Sequence, residues 1–253
     1  MQKLKPLDYK ENYTDIVPQD SFRISPSMIS KFSDKKWEWY RSQVLGETTF
    51  EGSTSTVLGT IIHRIAEVCT KFKTNEEREV LRTEIPDYIE SFSNNPEIDI
   101  AHIKEQYKPM GNALLDYLNI WGYPDRSEEA IAYKVCDGVY AAGTADAVIG
   151  NTLIDYKTTS NQNVSEYYMP QNYKVQLLTY AWIYRKLGVD IQNIRIVWIT
   201  NNIVGRVSEK TGKPLKDYPS KVIPVTQVIT SEDMEFIESY LKLIAETYLK
   251  AKE

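Results

Sequence analysis

Residues 143–159, GTADAVIGNTLIDYKTT, constrain the fold more than any other stretch of the chain. Apolar and polar residues alternate on both sides of Gly150-Asn151, a dipeptide suited to a tight turn, so the pattern predicts two antiparallel strands forming a hairpin. The period of two then fixes what each side chain can reach. Asp155 and Lys157 share one face of the second strand, Tyr156 points to the other, and Asp146 sits on the first strand. Two carboxylates and a lysine gathered at one end of a hairpin can hold a divalent cation beside a phosphodiester. A solvated surface Asp–Lys pair is the plainer reading. Against it, Val148, Ile149, Leu153 and Ile154 surround the acids with apolar side chains, which suits a central hairpin. Thr158 and Thr159 follow with no turn residue, as at a strand end that opens into a cleft.

The alternation begins upstream, and with Asp137-Gly138 as a second turn it predicts three antiparallel strands at about 129–135, 139–149 and 152–157. What flanks them has helical periodicity. Residues 1–24 are polar and extended, and Ser25-Pro26-Ser27 offers a helix start before Met28, Ile29 and Phe32. Thr48–Thr56 is a Gly/Ser/Thr-rich loop. From 57 to 72 apolar residues recur at helical spacing, 74–108 predicts one or two charged helices broken near Asn94-Asn95-Pro96, and Pro109–Tyr123 a further helix. Downstream come a helix over 168–187, a buried strand over 194–200, a basic loop or hairpin over 201–222, and a terminal helix capped by Thr230 through Asp233. The order predicts an α/β (α+β) fold with an N-terminal helical part at 25–125 and a core at 126–253.

A length of 253 residues suffices for one large domain, and 42% apolar with 26% charged residues excludes a disordered chain. The net charge of −5 argues against bulk coating of nucleic acid but leaves room for a local groove. Cys69 and Cys136, far apart and without a CxxC partner, exclude a disulfide scaffold, a zinc knuckle and a cysteine-ligated iron–sulfur cluster. No apolar leader or membrane-length run is visible, so the expected compartment is cytoplasmic, with no membrane partner. Lys35, Lys36 and Arg41 alternate with Trp37, Trp39 and Tyr40, a mixture able to grip a nucleic-acid backbone. The alternative is that the tryptophans pack on the core while the charges face water.

Hydrolysis of a phosphodiester needs a neutralised phosphate, an oriented water and help for the leaving oxygen, and carboxylate-bound metal supplies all three. Lys157 would hold the attacking water and stabilise charge on the phosphate. Service as a general base would require a pKa strongly depressed by burial.

The order GT-x-D-x-V-I followed by I-D-Y-K-T resembles the PD-(D/E)xK nuclease superfamily, in its RecB-like exonuclease branch. Two further motifs carry the likeness: Gly59-Thr60-Ile61-Ile62-His63, with Glu67 one turn later, and Gln176-x-x-x-Tyr180 on the helix after Lys157, where i, i+4 spacing stacks both side chains on one face. The resemblance implies a restriction-endonuclease-like core with a central mixed sheet, forming one nuclease domain over 1–253. It implies Mg²⁺ or Mn²⁺ held by His63, Asp146, Asp155 and the Tyr156 backbone carbonyl. Lys157 would serve the nucleophilic water, and Gln176 with Tyr180 would position active-site groups and DNA. Glu128 or Glu129 is similar to an acidic position of some relatives. Relatives with an iron–sulfur cluster use four cysteines, which this chain lacks, so it is similar to cluster-free phage-type exonucleases. The implied partners are DNA, as single strands or duplex ends, and a single-strand annealing or recombination protein. A structure-selective endonuclease and a non-cleaving DNA-binding module are the alternatives on the same fold.

Overall fold

The computed structural model describes Leu7 and residues 13–47, 52–72, 74 and 76–252; the expected lead-in at 1–24 and loop at 48–56 fall partly outside them. A six-stranded mixed sheet organises the chain. Its strands are β1 (Phe22–Ile24), β2 (Arg126–Cys136), β3 (Val139–Ile149), β4 (Thr152–Thr159), β5 (Asn193–Thr200) and β6 (Val222–Val228). The helices are α1 (Ile29–Asp34), α2 (Lys36–Gln43), α3 (Thr54–Lys71), α4 (Val80–Glu90), α5 (Ile100–Trp121), α6 (Gln171–Lys186) and α7 (Ser231–Lys252).

The three central strands form the expected antiparallel meander, turning at Gly138 and at Gly150, whose φ of +71° and +56° suit glycine. Two strands were not expected. Three-residue β1 is too short to show a period, and it pairs in parallel with Val139–Ala141 of β3. β6 contains Pro224, which an outermost strand tolerates because one side of its backbone needs no partner.

Two helical expectations change. α3 begins at Thr54, inside the expected loop, because Ser53 caps it by accepting the Thr56 N–H at 3.3 Å. The break expected before Pro109 is absent: α5 runs unbroken through it. The missing N–H is outweighed by packing, since Ile103, Met110, Leu114 and Leu118 are fully buried against the α3 side of the sheet. Gly111 permits that approach; a Cβ there would lie 2.8 Å from Ile65 Cδ1.

Each face of the sheet carries its own core. Ile154, Tyr156, Val197 and Ile199 point to α3, α4 and α5, whereas Leu153, Ile194, Ile196 and Trp198 point to α6 and α7. α7 is held at its start by the expected cap: Thr230 Oγ1 accepts the Asp233 N–H at 3.2 Å, and Asp233 Oδ2 accepts the Thr230 N–H at 3.1 Å.

The topology around β3 places the site. β2 lies along the whole of one edge of β3, so β1 and β4 must share the other. β1 takes residues 139–141 and β4 takes residues 147–149. Residues 142–146 between them have no strand partner on that edge. A fork therefore opens in the sheet at Asp146.

Candidate active site

At the fork, side chains replace the missing backbone ladder. β3 and β4 pair only as far as Ala147–Ile154; beyond that the Tyr156 N–H donates to Asp146 Oδ2 at 2.8 Å, and the Tyr156 carbonyl accepts from His63 Nε2 at 2.9 Å. Both backbone groups of Tyr156 that the splayed strand frees are thus satisfied, as buried amides require. The Tyr156 ring fills the α3-side core, as the alternation predicted.

His63 reaches the fork from α3. With Nε2–H committed to the Tyr156 carbonyl, Nδ1 faces Asp146 Oδ2 at 3.5 Å and Glu128 Oε1 at 3.6 Å. A ring nitrogen aimed at acids while the other donates to a backbone carbonyl is the usual arrangement of a metal-binding histidine. The Tyr156 carbonyl, expected as a ligand, meets the imidazole here. Among the described residues His63, Glu128 and Asp146 offer ligand atoms within 4.8 Å of one another, near the roughly 4.2 Å span of opposite ligands around Mg²⁺.

Glu128 is also the one described non-glycine residue with positive φ, at +50°. It sits opposite Asp146, between the registered pairs Ser127–Ala147 and Glu129–Ala145, and makes no pair itself. Left-handed backbone costs about 1–2 kcal/mol at such a residue, and the conformation accompanies a carboxylate turned toward His63. Of the two acids considered from sequence, Glu129 serves structure: it binds Arg126 and accepts from the Tyr184 hydroxyl at 2.8 Å.

Asp155, 3% exposed, stands on the α6 face beside Lys157. Its Oδ1 accepts from Lys157 Nζ at 2.9 Å and from Gln176 Nε2 at 3.0 Å. Its Oδ2 lies 2.9 Å from the same ammonium but, buried, has no hydrogen-bond partner of good geometry among the described residues. A desolvated carboxylate oxygen with an ion-pair partner but no hydrogen bond, electrostatically coupled to Asp146 and His63, has a lone pair free for a divalent cation. Gln176 therefore orients Asp155. Tyr180, one turn on, packs against β3: a Cβ at Gly143 would lie 2.7 Å from its hydroxyl, which accounts for the glycine. Trp198 flanks Lys157 on β5, and its Nε1, buried, has no partner among the described residues.

The titrations describe the site without metal. Burial raises Asp155 to about 6 against the pull of Lys157, with Asp146 adding to the rise. Burial likewise raises Asp146, opposed by His63. Burial disfavours charge on His63, but Asp146 and Glu128 outweigh it and push the imidazole up to about 9. Burial also opposes the Lys157 charge and is outweighed by Asp155 and Asp146, so its pKa rises and the ammonium persists at neutral pH. The depressed pKa that a general base would need is not what this environment gives Lys157.

A cation that takes the Nδ1 position must displace the His63 proton. Isothermal titration at pH 7.5 in buffers of different ionisation enthalpy should show about one proton released per Mg²⁺ bound. No release would exclude His63 from the site. Without metal, the raised His63 pKa gives stability that is complete below pH 6.5 and lost as pH rises through about 9.

The other residues singled out from sequence have contacts of their own. Glu67 accepts from Arg64 and Lys71, both at 2.6 Å, in a buried network that also holds Glu84. On α2, Trp39 is buried against Phe32 and Trp37 is exposed, so one tryptophan follows the core reading and the other does not. Lys35 pairs with Glu38 at 3.2 Å, Arg41 with Glu47 at 2.5 Å, and Lys36 lies over the Phe32 ring.

A mixed sheet whose central strands part around two acids, with a lysine two residues beyond the second, defines the restriction-endonuclease-like class of fold. The chain belongs to the PD-(D/E)XK nuclease superfamily, whose model matches residues 23–248. Nucleases of this superfamily use divalent metal ions, and the acidic cluster at the fork has the donor atoms to hold one. A candidate exonuclease from Eubacterium rectale is similar in fold, with 11% identity, a TM-score of 0.58, and 100% of this chain and 87% of that chain covered. An alkaline exonuclease from Laribacter hongkongensis matches at 16% identity and a TM-score of 0.40, over 76% of this chain and 88% of that one. A phage-related exonuclease from Haemophilus somnus 129PT matches at 12% identity and 0.37, over 90% and 97%. No curated protein gives a significant match.

Proposed function

We propose that this protein is a Mg²⁺- or Mn²⁺-dependent exonuclease that degrades DNA from its ends, in recombination or repair, with the whole site in one nuclease domain. The observation that carries the reading is the fork: His63, Glu128 and Asp146 gathered within 4.8 Å, beside a buried Asp155 oxygen with no hydrogen-bond partner. His63, Glu128, Asp146 and Asp155 would hold the cation, which supplies charge neutralisation and a more acidic water. The protein's own groups do the rest. Gln176 fixes the Asp155 carboxylate, Tyr156 fixes Asp146 and His63 through its backbone, and Lys157 places a positive charge where the phosphate gains negative charge. Tyr180, its phenol kept neutral by burial, backs β3 at Gly143.

Support for the exonuclease branch comes from His63 and the Gln176–Tyr180 pair acting within this one site. The deciding comparison is linear against covalently closed circular DNA, end-labelled where ends exist, with Mg²⁺ or Mn²⁺. Degradation of the linear form alone is expected. Equal cleavage of the closed circle would assign a structure-selective or other endonuclease, and binding without cleavage would assign a DNA-binding module.

A further inference from the structure

β4 ends at Thr159, two residues past Lys157, and β5 ends beside it at Thr200, with the Asn201 N–H donating to the Thr159 carbonyl at 2.9 Å. From this point, about 8 Å from Lys157 by strand geometry, the chain leaves the sheet as a flap. Isolated bridges Ile203–Tyr218 and Val207–Pro214 hold its two arms.

The root of the flap is fixed. Gln106 of α5, 3% exposed, donates to the Asn202 carbonyl at 3.0 Å and accepts the Asn202 N–H at 2.6 Å, as a paired strand would. Ser220 Oγ donates to the Thr200 carbonyl at 2.6 Å. Beyond the root, residues 204–207 and 209–217 are exposed. They carry Arg206, Lys210, Lys213 and Lys216 against Glu209 and Asp217, in a chain whose net charge is −5.

None of these four cations is in an ion pair among the described residues, in contrast to Lys35 at the start of α2 and Arg41 on it. Lys216 lies over the Tyr218 ring at 5.1 Å. Concentrating unpaired positive charge on a projecting arm costs self-repulsion, which a polyanion relieves.

A groove of about 520 Å³ lies at the root of the flap, where β4 ends; Thr54, Glu97, His102, Thr158, Thr159 and Asn201 are among the residues that line it. It touches the residues after Lys157, the N-terminal end of α3, and the root of the flap. Its hydroxyls and the Asn201 amide are groups that position a phosphate backbone without reading bases, and Glu97 is the acidic group on its wall.

We propose that the flap, reached through this groove, tracks the phosphate backbone of the DNA strand beyond the scissile bond and keeps it engaged between cuts. The inference rests on the nuclease reading for its substrate. It assigns processivity to residues that take no part in the chemistry.

The test is fluorescence anisotropy in EDTA with labelled dT30 and a 30-base-pair duplex, comparing wild type with the fourfold variant R206A/K210A/K213A/K216A. For the form wild type binds, affinity at 0.1 M salt should fall at least roughly tenfold, with a shallower salt slope. The length of product runs under a DNA trap should shorten with Mg²⁺ present. Circular dichroism checks folding of the variant. Unchanged affinity and slope in the folded variant, or the loss appearing instead in K35A/K36A, would overturn the flap assignment while wild-type cleavage still upheld the nuclease. If wild type bound DNA but cleaved none, the nuclease reading would fail and the binding comparison would still decide the flap.

Discussion

Asp155→Asn is expected to lower metal-dependent DNA cleavage at least about a thousandfold, roughly 4 kcal/mol of transition-state stabilisation. The substitution keeps the size of the side chain, and an amide can still meet Gln176, so the fold should persist by circular dichroism. What disappears is the charge that faces the metal. Asp155 is ionised at neutral pH against a burial penalty: its pKa, raised to about 6, means that stability falls as pH rises from 3.8 through 6. A divalent cation offsets that penalty, so Mg²⁺ should raise the wild-type melting temperature. The Asp155→Asn variant should show little or none of that rise. Near-wild-type cleavage in the folded variant would remove Asp155 from the site.

Lys157→Met should cost about 10²- to 10³-fold in cleavage, the range for loss of one group that stabilises transition-state charge. It should also destabilise the metal-free protein, which Asp155→Asn tests less cleanly. Removing the ammonium strands a buried carboxylate that it contacts at 2.9 Å. Breaking a buried pair costs about 3–5 kcal/mol, and the lower figure applies because the Lys157 side chain keeps 23% exposure. The raised Lys157 pKa gives stability fully present below pH 10.5 and lost as pH rises through its folded value. The loss in the variant should therefore be full at neutral pH. Saturating Mg²⁺ should recover part of the melting temperature and none of the activity. Chemical denaturation and single-turnover cleavage, run with and without Mg²⁺, separate the two effects. A variant as active as wild type would show that Lys157 only balances charge.

The strands that carry this chemistry were legible because period-two alternation and glycine turns are local signals. The same signal put Asp155 and Lys157 on one face and Tyr156 on the other, as the structure has them. Three-residue β1 and Pro-containing β6 gave no such pattern, and they are strands only because β3 and β5 offer them edges. Pro109 suggested a helix boundary that tertiary packing overrode. At the site, sequence order brought His63, Asp146, Asp155, Lys157, Gln176 and Tyr180 into view. It could not choose between Glu128 and Glu129, because the choice rests on one left-handed backbone angle. Nor could it show the fork: a gap between two strands on one edge of β3 is a property of the assembled sheet. The Gly143-x-x-Asp146 spacing was the available clue, with the glycine making room for Tyr180.

Anomalous diffraction from Mn²⁺-soaked crystals would show whether the fork holds the catalytic cation. An ion is expected about 2.0–2.3 Å from carboxylate oxygens of Asp146 and Asp155, with His63 Nδ1 or Glu128 completing the shell. A well-occupied Mn²⁺ peak away from Asp146 and Asp155, with the fork still holding its apo hydrogen bonds, would contradict that placement.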